Sequence, residues 1–272
     1  MRERRRLQFL PARSLVPNAV TVLALCAGMT SIKFALAGRW EMAAGAIIIA
    51  GIFDMLDGRV ARMMKGASRF GAELDSLSDV ISFGVAPAVL VYLWTLSRLG
   101  GIGWVLALGF AVCCALRLAR FNVMSELEET PSKNFTGVPA PMAAGLALWP
   151  FALSVQFGTD FFRNPALVAP YMALLSFLMV SRLPTLSLKK IRVKGDYVLP
   201  MLVAVGLFAA SLSVWTWGTV SIVCFLYALS IPLTVVMNRR GAALAPVADA
   251  EGEGEDAAVY SDDTDEPRRP LH

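Results

Sequence analysis

Four aspartates, Asp54, Asp57, Asp75 and Asp79, fall within "DMLDGRVARMMKGASRFGAELDSLSD", residues 54–79. Asp54 and Asp57 occupy neighbouring positions on one helix face, which Gly58 and Ala61 continue. Gly71, Asp75 and Asp79 come at steps of four and stack on one face of a second helix. The "KGAS" run between them is a turn signal. If the two helices are antiparallel neighbours, all four carboxylates can converge. Carboxylates that close repel one another, and divalent cations remove the repulsion. An all-oxygen donor set suits Mg²⁺, Mn²⁺ or Ca²⁺ rather than zinc or copper. Two such ions could hold a diphosphate, polarise the phosphorus under attack and stabilise the departing oxygen. The small residues Gly58, Ala61 and Gly71 leave room for a substrate or for tight helix contact.

The surrounding chain must place this charge in an apolar setting. Its 272 residues are 56% hydrophobic and only 17% charged, with a mean hydropathy of +0.59. That excludes an ordinary soluble domain and points to an integral membrane protein. A membrane helix needs about 20 mostly apolar residues. Eight such stretches are expected, roughly at 17–37, 41–60, 73–97, 102–122, 139–158, 166–183, 198–215 and 218–238. The expected fold is therefore all-α, a polytopic transmembrane helix bundle. Residues 1–14 form a basic N-terminus, 15–240 the membrane domain, and the acidic, small-residue-rich 241–272 a disordered tail.

Basic residues set the orientation. Arg2, Arg4, Arg5, Arg6 and Arg13 precede the first span, and Arg59, Arg62, Lys65 and Arg69 surround the second connection. Arg182, Lys189, Lys190, Arg192 and Lys194 mark the sixth connection, and Arg239 and Arg240 lie after the last span. The opposite side holds little beyond Arg39, Arg98 and Arg163. Both termini and the aspartates are thus expected to face the cytoplasm. The basic start and the apolar run from Val16 to Ile32 imitate a cleavable signal, but Lys33 interrupts the spacing and Pro17-Asn18 reads as a helix start.

Some chemistries drop out. The cysteines, Cys26, Cys113, Cys114 and Cys224, lie in apolar segments without a CxxC pair, which indicates neither a disulfide framework nor zinc. The single histidine, His272, is the last residue. Acid–base work therefore falls to carboxylates, arginines or lysines.

The spacing D-x-x-D-G-x-x-A-R, eight residues, then G-x-x-x-D-x-x-x-D resembles the motif of the CDP-alcohol phosphotransferase family. Every fixed position is filled, by Asp54, Asp57, Gly58, Ala61, Arg62, Gly71, Asp75 and Asp79. The resemblance implies a six-helix core and transfer of a phosphate-linked group from a CDP compound to an alcohol, with release of CMP. "LVPNAVT", "ALRLARFNV" and "NFTGVPAPMAAG" resemble the family's membrane-embedded serine-using branch, across most of residues 15–240 and including two extra C-terminal helices. That branch implies CDP-diacylglycerol and L-serine as substrates, Mg²⁺ or Mn²⁺ as cofactor, a homodimer among membrane lipids, a bacterial-type inner membrane and no nucleic-acid partner.

The same resemblance implies residue roles. Asp54, Asp57 and Asp75 are implied as metal ligands, with Asp79 both ligand and base. Gly58, Ala61, Arg62, Ser68 and Gly71, with Asn18 and Thr21 from the first helix, are implied to contact the CDP-lipid. Serine brings a carboxylate that other acceptors lack, which directs attention to Arg117, Arg120 and Asn122 at the cytoplasmic end of the fourth span. Interfacial snorkelling is the plain alternative for these arginines, and a loop-to-helix start is the plain alternative for "FTGVPAP".

Two rivals remain. Within the family, the acceptor could be glycerol phosphate or an inositol compound. Outside it, intramembrane carboxylates also line cation pathways, but a through-path needs them at several depths, and no span after Glu126 offers one. For the membrane arrangement, a lone cysteine at Gly66, in a cysteine-free background, should resist an impermeant thiol reagent outside intact cells, and one at Asn164 should react. The reverse labelling pattern refutes the orientation.

Overall fold

A computed structural model of the chain describes residues 12–63, 69–127, 137–181 and 210–243, together with 203, 206 and 207. Those residues are helical or lie in short connections, and they contain no strand. The long elements are α1 (Ala12–Leu36), α2 (Trp40–Met63), α3 (Arg69–Asp79), α4 (Ala86–Trp94), α5 (Gly101–Leu127), α6 (Ala140–Phe157), α7 (Pro165–Val180) and α8 (Thr216–Ala243). A π-helical turn, Val80–Val85, joins α3 to α4 without a break. Half of the expected span at 198–215 lies outside the described residues.

Among the described residues, five runs are long and apolar enough to cross a membrane: Leu15–Leu36, Phe70–Trp94, Gly101–Met124, Ala140–Phe157 and Thr216–Thr234. The protein is therefore an integral membrane protein. α2 has the length, at 24 residues, but carries the charge that the site requires. α7 has 16 apolar residues, about 24 Å of helix, slightly short of a hydrocarbon layer about 30 Å thick.

Local chemistry accounts for the connections. Gly38 adopts φ 71° to end α1, and α2 begins two residues later, so these two helices form a tight antiparallel pair. Asn164 caps α7, its side-chain oxygen accepting from the Ala166 N–H at 3.0 Å, with Pro165 at the first helical position. Gly137 starts the approach to α6 at φ 82°, where an added Cβ would lie 3.0 Å from the Met179 carbonyl oxygen. The "GVP" of "FTGVPAP" is thus a buried turn tucked under the end of α7, consistent with a loop-to-helix start. One expectation is corrected: α1 starts at Ala12, so Pro17 lies inside the helix rather than at its first turn. Its ring costs one backbone hydrogen bond, and the Pro17 carbonyl, still free to accept, takes the Thr21 hydroxyl at 3.1 Å.

The core is built from small residues where helices meet. Ala43, Ala44, Ala50, Ala86, Ala140 and Ala143 are fully buried beside Phe83, Phe110 and Leu90, as expected where close backbone approach, rather than water exclusion, drives helix association. Trp94 meets Phe151 edge to face at 5.5 Å, and Phe151 meets Trp217 at 5.2 Å, which ties α4, α6 and the start of α8 together.

The seam that positions the site lies between α1 and the α3–α4 run. Ser78 donates to the Thr21 carbonyl at 3.3 Å, and one turn on Ser82 donates to the Ala24 carbonyl at 3.2 Å. Gly28 allows this approach, because a Cβ there would stand 2.8 Å from the Ser82 Cα. Gly28→Val should push the two helices apart, cost about 1–3 kcal/mol of stability as overpacking does, and lower activity further than that loss explains. Thermal unfolding and turnover measured on the same preparation check this; wild-type values for both would show that the seam tolerates the extra volume.

Candidate functional site

α2 and α3 scarcely touch each other among the described residues; each instead packs on α1. The carboxylates project into the opening between them. One oxygen each from Asp54, Asp57 and Asp75 lies within 4.8 Å of the other two. The Asp79 carboxyl group lies beside that of Asp54. The helical spacing of the four aspartates thus brings them together from two elements.

α1 closes one side of the opening. Thr21 is buried, donates its hydroxyl to the Pro17 carbonyl at 3.1 Å and lies beside the Asp57 carboxylate. Asp57 is itself only 5% exposed, and its Oδ2 has no hydrogen-bond partner among the described residues. A buried, orphaned carboxylate oxygen is costly unless something binds it. Asn18, from the same helix, is half-buried.

α5 closes another side. Asn122 donates to the Ser76 hydroxyl at 2.8 Å, and Ser76 donates to the Ala72 carbonyl at 3.1 Å. This clasp fixes the turn of α3 that carries Asp75. Higher up, the π-helical turn presses on α5, where a Cβ on Gly84 would lie 3.1 Å from the Cys114 Cβ. Arg117, one turn beyond Cys114, is half-buried and within electrostatic reach of Asp79. Arg120 is exposed. The structure therefore separates two arginines that the sequence treats alike.

The remaining candidates lie at the open end. Gly58 is exposed and Gly71 half-exposed, both at the mouth between α2 and α3. Ala61 and Arg62 continue the α2 backbone, and Ser68 lies outside the described residues. Sequence reasoning missed Ser76, Ser78 and Ser82, which tie α3 and the π-helical turn to α5 and α1. The signal was present as small hydroxylated residues at regular spacing, but the same pattern suits any close helix packing.

The donor set fits a hard divalent cation. Asp54, Asp57 and Asp75 offer oxygens only, at a mutual separation that one ion can bridge, and the orphaned Asp57 Oδ2 supplies an unused lone pair inside the cluster. A metal that prefers soft ligands finds none in this set, since no cysteine among the described residues belongs to the cluster.

A polytopic helix bundle that holds an acidic, oxygen-only site at one end of its spans has the build of a membrane-embedded enzyme rather than a pore. Residues 14–181 match the family model of CDP-alcohol phosphatidyltransferase, and residues 196–232 match that of CDP-alcohol phosphatidyltransferase 2. The chain belongs to the CDP-alcohol phosphatidyltransferase family. It is 36% identical to the CDP-diacylglycerol–serine O-phosphatidyltransferase of Mycobacterium tuberculosis, over 83% of this chain and 79% of that one. Identity to the enzyme of the same name from Mycobacterium leprae is 36%, over 86% and 78% of the two chains. For that from Helicobacter pylori it is 36%, over 65% and 74%.

If the aspartates bind a cation, Asp57→Asn should weaken Mn²⁺ binding at least roughly 10-fold, the lower end of what even an indirect partner of a metal contributes. Electron paramagnetic resonance titration of the purified protein measures this. Wild-type affinity in the variant would place the ion elsewhere.

Proposed function

We propose that this chain transfers the phosphatidyl group of CDP-diacylglycerol to the hydroxyl of L-serine, releasing CMP, at the cytoplasmic end of its helices. The observation that carries the reading is the convergence of Asp54, Asp57, Asp75 and Asp79 from two helices on one opening. The serine-specific names of the relatives, each covering most of this chain or of the relative, support the acceptor.

Asp54, Asp57 and Asp75 would hold the divalent metal, Mg²⁺ or Mn²⁺, as a pair of ions. When bound, the metal supplies charge neutralisation of the diphosphate and of the departing CMP oxygen. The protein's own part is positioning, which phosphoryl transfer chiefly needs. Gly58 and Gly71 sit at the mouth between α2 and α3; with Ala61, Arg62 and Ser68 of the motif, and Asn18 and Thr21 of α1, they would contact the CDP-lipid. Thr21 and the Ser76–Asn122 clasp hold Asp57 and Asp75 in register. Asp79 receives the proton of the serine hydroxyl as its oxygen attacks the phosphorus that bears the diacylglycerol. The bond from that phosphorus to the CMP oxygen breaks, and CMP leaves with the electron pair. The products are phosphatidylserine and CMP.

The proposal extends to the setting. The basic N-terminus, the membrane domain and the acidic tail are its three parts, both termini and the active site face the cytoplasm of a bacterial-type inner membrane, and the working unit is a homodimer. Among the described residues, the spans of α6, α7 and α8 carry no acidic side chain, which disfavours a cation pathway.

The test is incubation of the purified protein with CDP-diacylglycerol, Mn²⁺ or Mg²⁺, and L-serine, glycerol 3-phosphate or inositol in turn. CMP release and a phosphatidylserine product with serine alone are expected; release with another acceptor and not with serine would move the chain to a sibling reaction. Asp79→Asn should lower turnover about 10²- to 10⁴-fold, as loss of a general base does, while leaving CDP-diacylglycerol binding within a few fold. Near-normal turnover would remove Asp79 from that role.

A further inference from the structure

Two buried polar atoms near the carboxylates lack partners among the described residues: Arg117 Nε on α5 and the Tyr227 hydroxyl on α8. Buried polar atoms in folded proteins are almost always satisfied, so two orphans that influence each other electrostatically call for an explanation. They come from helices that make little direct contact, since α8 packs mainly on α6. Both nonetheless lie within electrostatic reach of each other, and Arg117 of Asp79.

Each side chain follows a packed cysteine by one turn. α5 is pressed against the π-helical turn at Cys114 and Gly84, and Arg117 comes one turn after Cys114 on the same face. α8 is pressed against α6 at the buried Cys224, 3.7 Å from where a Cβ on Gly145 would stand, and Tyr227 comes one turn after Cys224 in the same way.

We propose that Arg117 and Tyr227 together hold the carboxylate of the amino-acid acceptor, so that α8 completes an acceptor pocket whose transfer chemistry belongs to α2 and α3. This rests on the serine reading above. A guanidinium offers a planar pair of N–H donors to a carboxylate, and a phenol adds a third donor from a second helix. The diphosphate has its own site between the aspartates, nearer the mouth. With the carboxylate at Arg117, the serine hydroxyl would stay within the neighbourhood of Asp79, which that guanidinium already feels electrostatically. Tyr227 is then a specificity residue, in the segment that the second family model covers, residues 196–232.

The experiment measures CMP release by the full-length enzyme, varying one substrate at a time, with L-serine and with serinol, which keeps the amine and hydroxyl but replaces the carboxylate by a hydroxymethyl group. Tyr227→Phe should raise the KM for serine roughly 10- to 100-fold, the range for a hydrogen bond to a charged group, with the KM for CDP-diacylglycerol within about twofold. The same variant should leave serinol use within about twofold of wild type, and adding it to Arg117→Lys should cost less than about threefold more, because both act on one carboxylate. An unchanged serine KM, or an equal penalty with serinol, overturns the proposal. A rise in the CDP-diacylglycerol KM instead assigns the pair to a phosphate and overturns it too. On the wild type, which needs no variant to fold, 3-hydroxypropionate should compete with serine; failure to compete also counts against it. Wild-type enzyme that releases CMP with other acceptors but not with serine contradicts the acceptor reading itself and removes this inference with it, an outcome distinct from a defect confined to Tyr227.

Discussion

The mutual repulsion of Asp54, Asp57, Asp75 and Asp79 is the force that the rest of this bundle has to oppose. A single aspartate in the membrane already costs about 2.5–3.5 kcal/mol, and these four share one opening with part of their surface removed from water. The helices that carry them do not lean on each other for support. Each leans on α1, through the tight α1–α2 pair on one side and the Ser78 and Ser82 hydrogen bonds on the other. A third helix can thus hold two charged faces at a fixed distance, near enough to share a cation and too far apart to close on one another.

The π-helical turn serves the same end. It begins directly after Asp79 and is gripped on two sides, by Gly28 of α1 facing Ser82 and by Cys114 of α5 facing Gly84. A π-helical turn inserts extra backbone into a helix and so rotates the helical face beyond it relative to the face before it. Asp75 and Asp79 can then face the opening while Phe83 and Ala86 face the core. The same contact sets α5, and hence which of its arginines reaches the carboxylates.

What the sequence revealed and what it hid divide along this line. Spacing within one helix is legible, because a period of 3.6 residues needs no knowledge of neighbours; the alignment of Asp54 with Asp57, that of Asp75 with Asp79 and the apolar runs around them were readable on that basis. Contacts between helices are not. Arg117 and Arg120 are one turn apart at the same end of α5, and only the packing of Cys114 on Gly84 tells the half-buried one from the exposed one. Tyr227 lies far from the motif in sequence and looks like any aromatic residue of a membrane span. The π-helical turn leaves no periodic trace in six residues, and Pro17, which reads as a helix start, sits inside α1 because the helix extends five residues before it.

The central claim is positional: one hard cation site, built from α2 and α3 and steadied by α1. Crystals of the protein grown with Mn²⁺, with diffraction recorded near the manganese absorption edge, locate the ion directly. The account predicts an anomalous peak within coordination distance of Asp54, Asp57 and Asp75, about 2.0–2.6 Å from their oxygens as for hard divalent cations. A well-occupied manganese peak bound elsewhere, with these carboxylates turned apart, would contradict it.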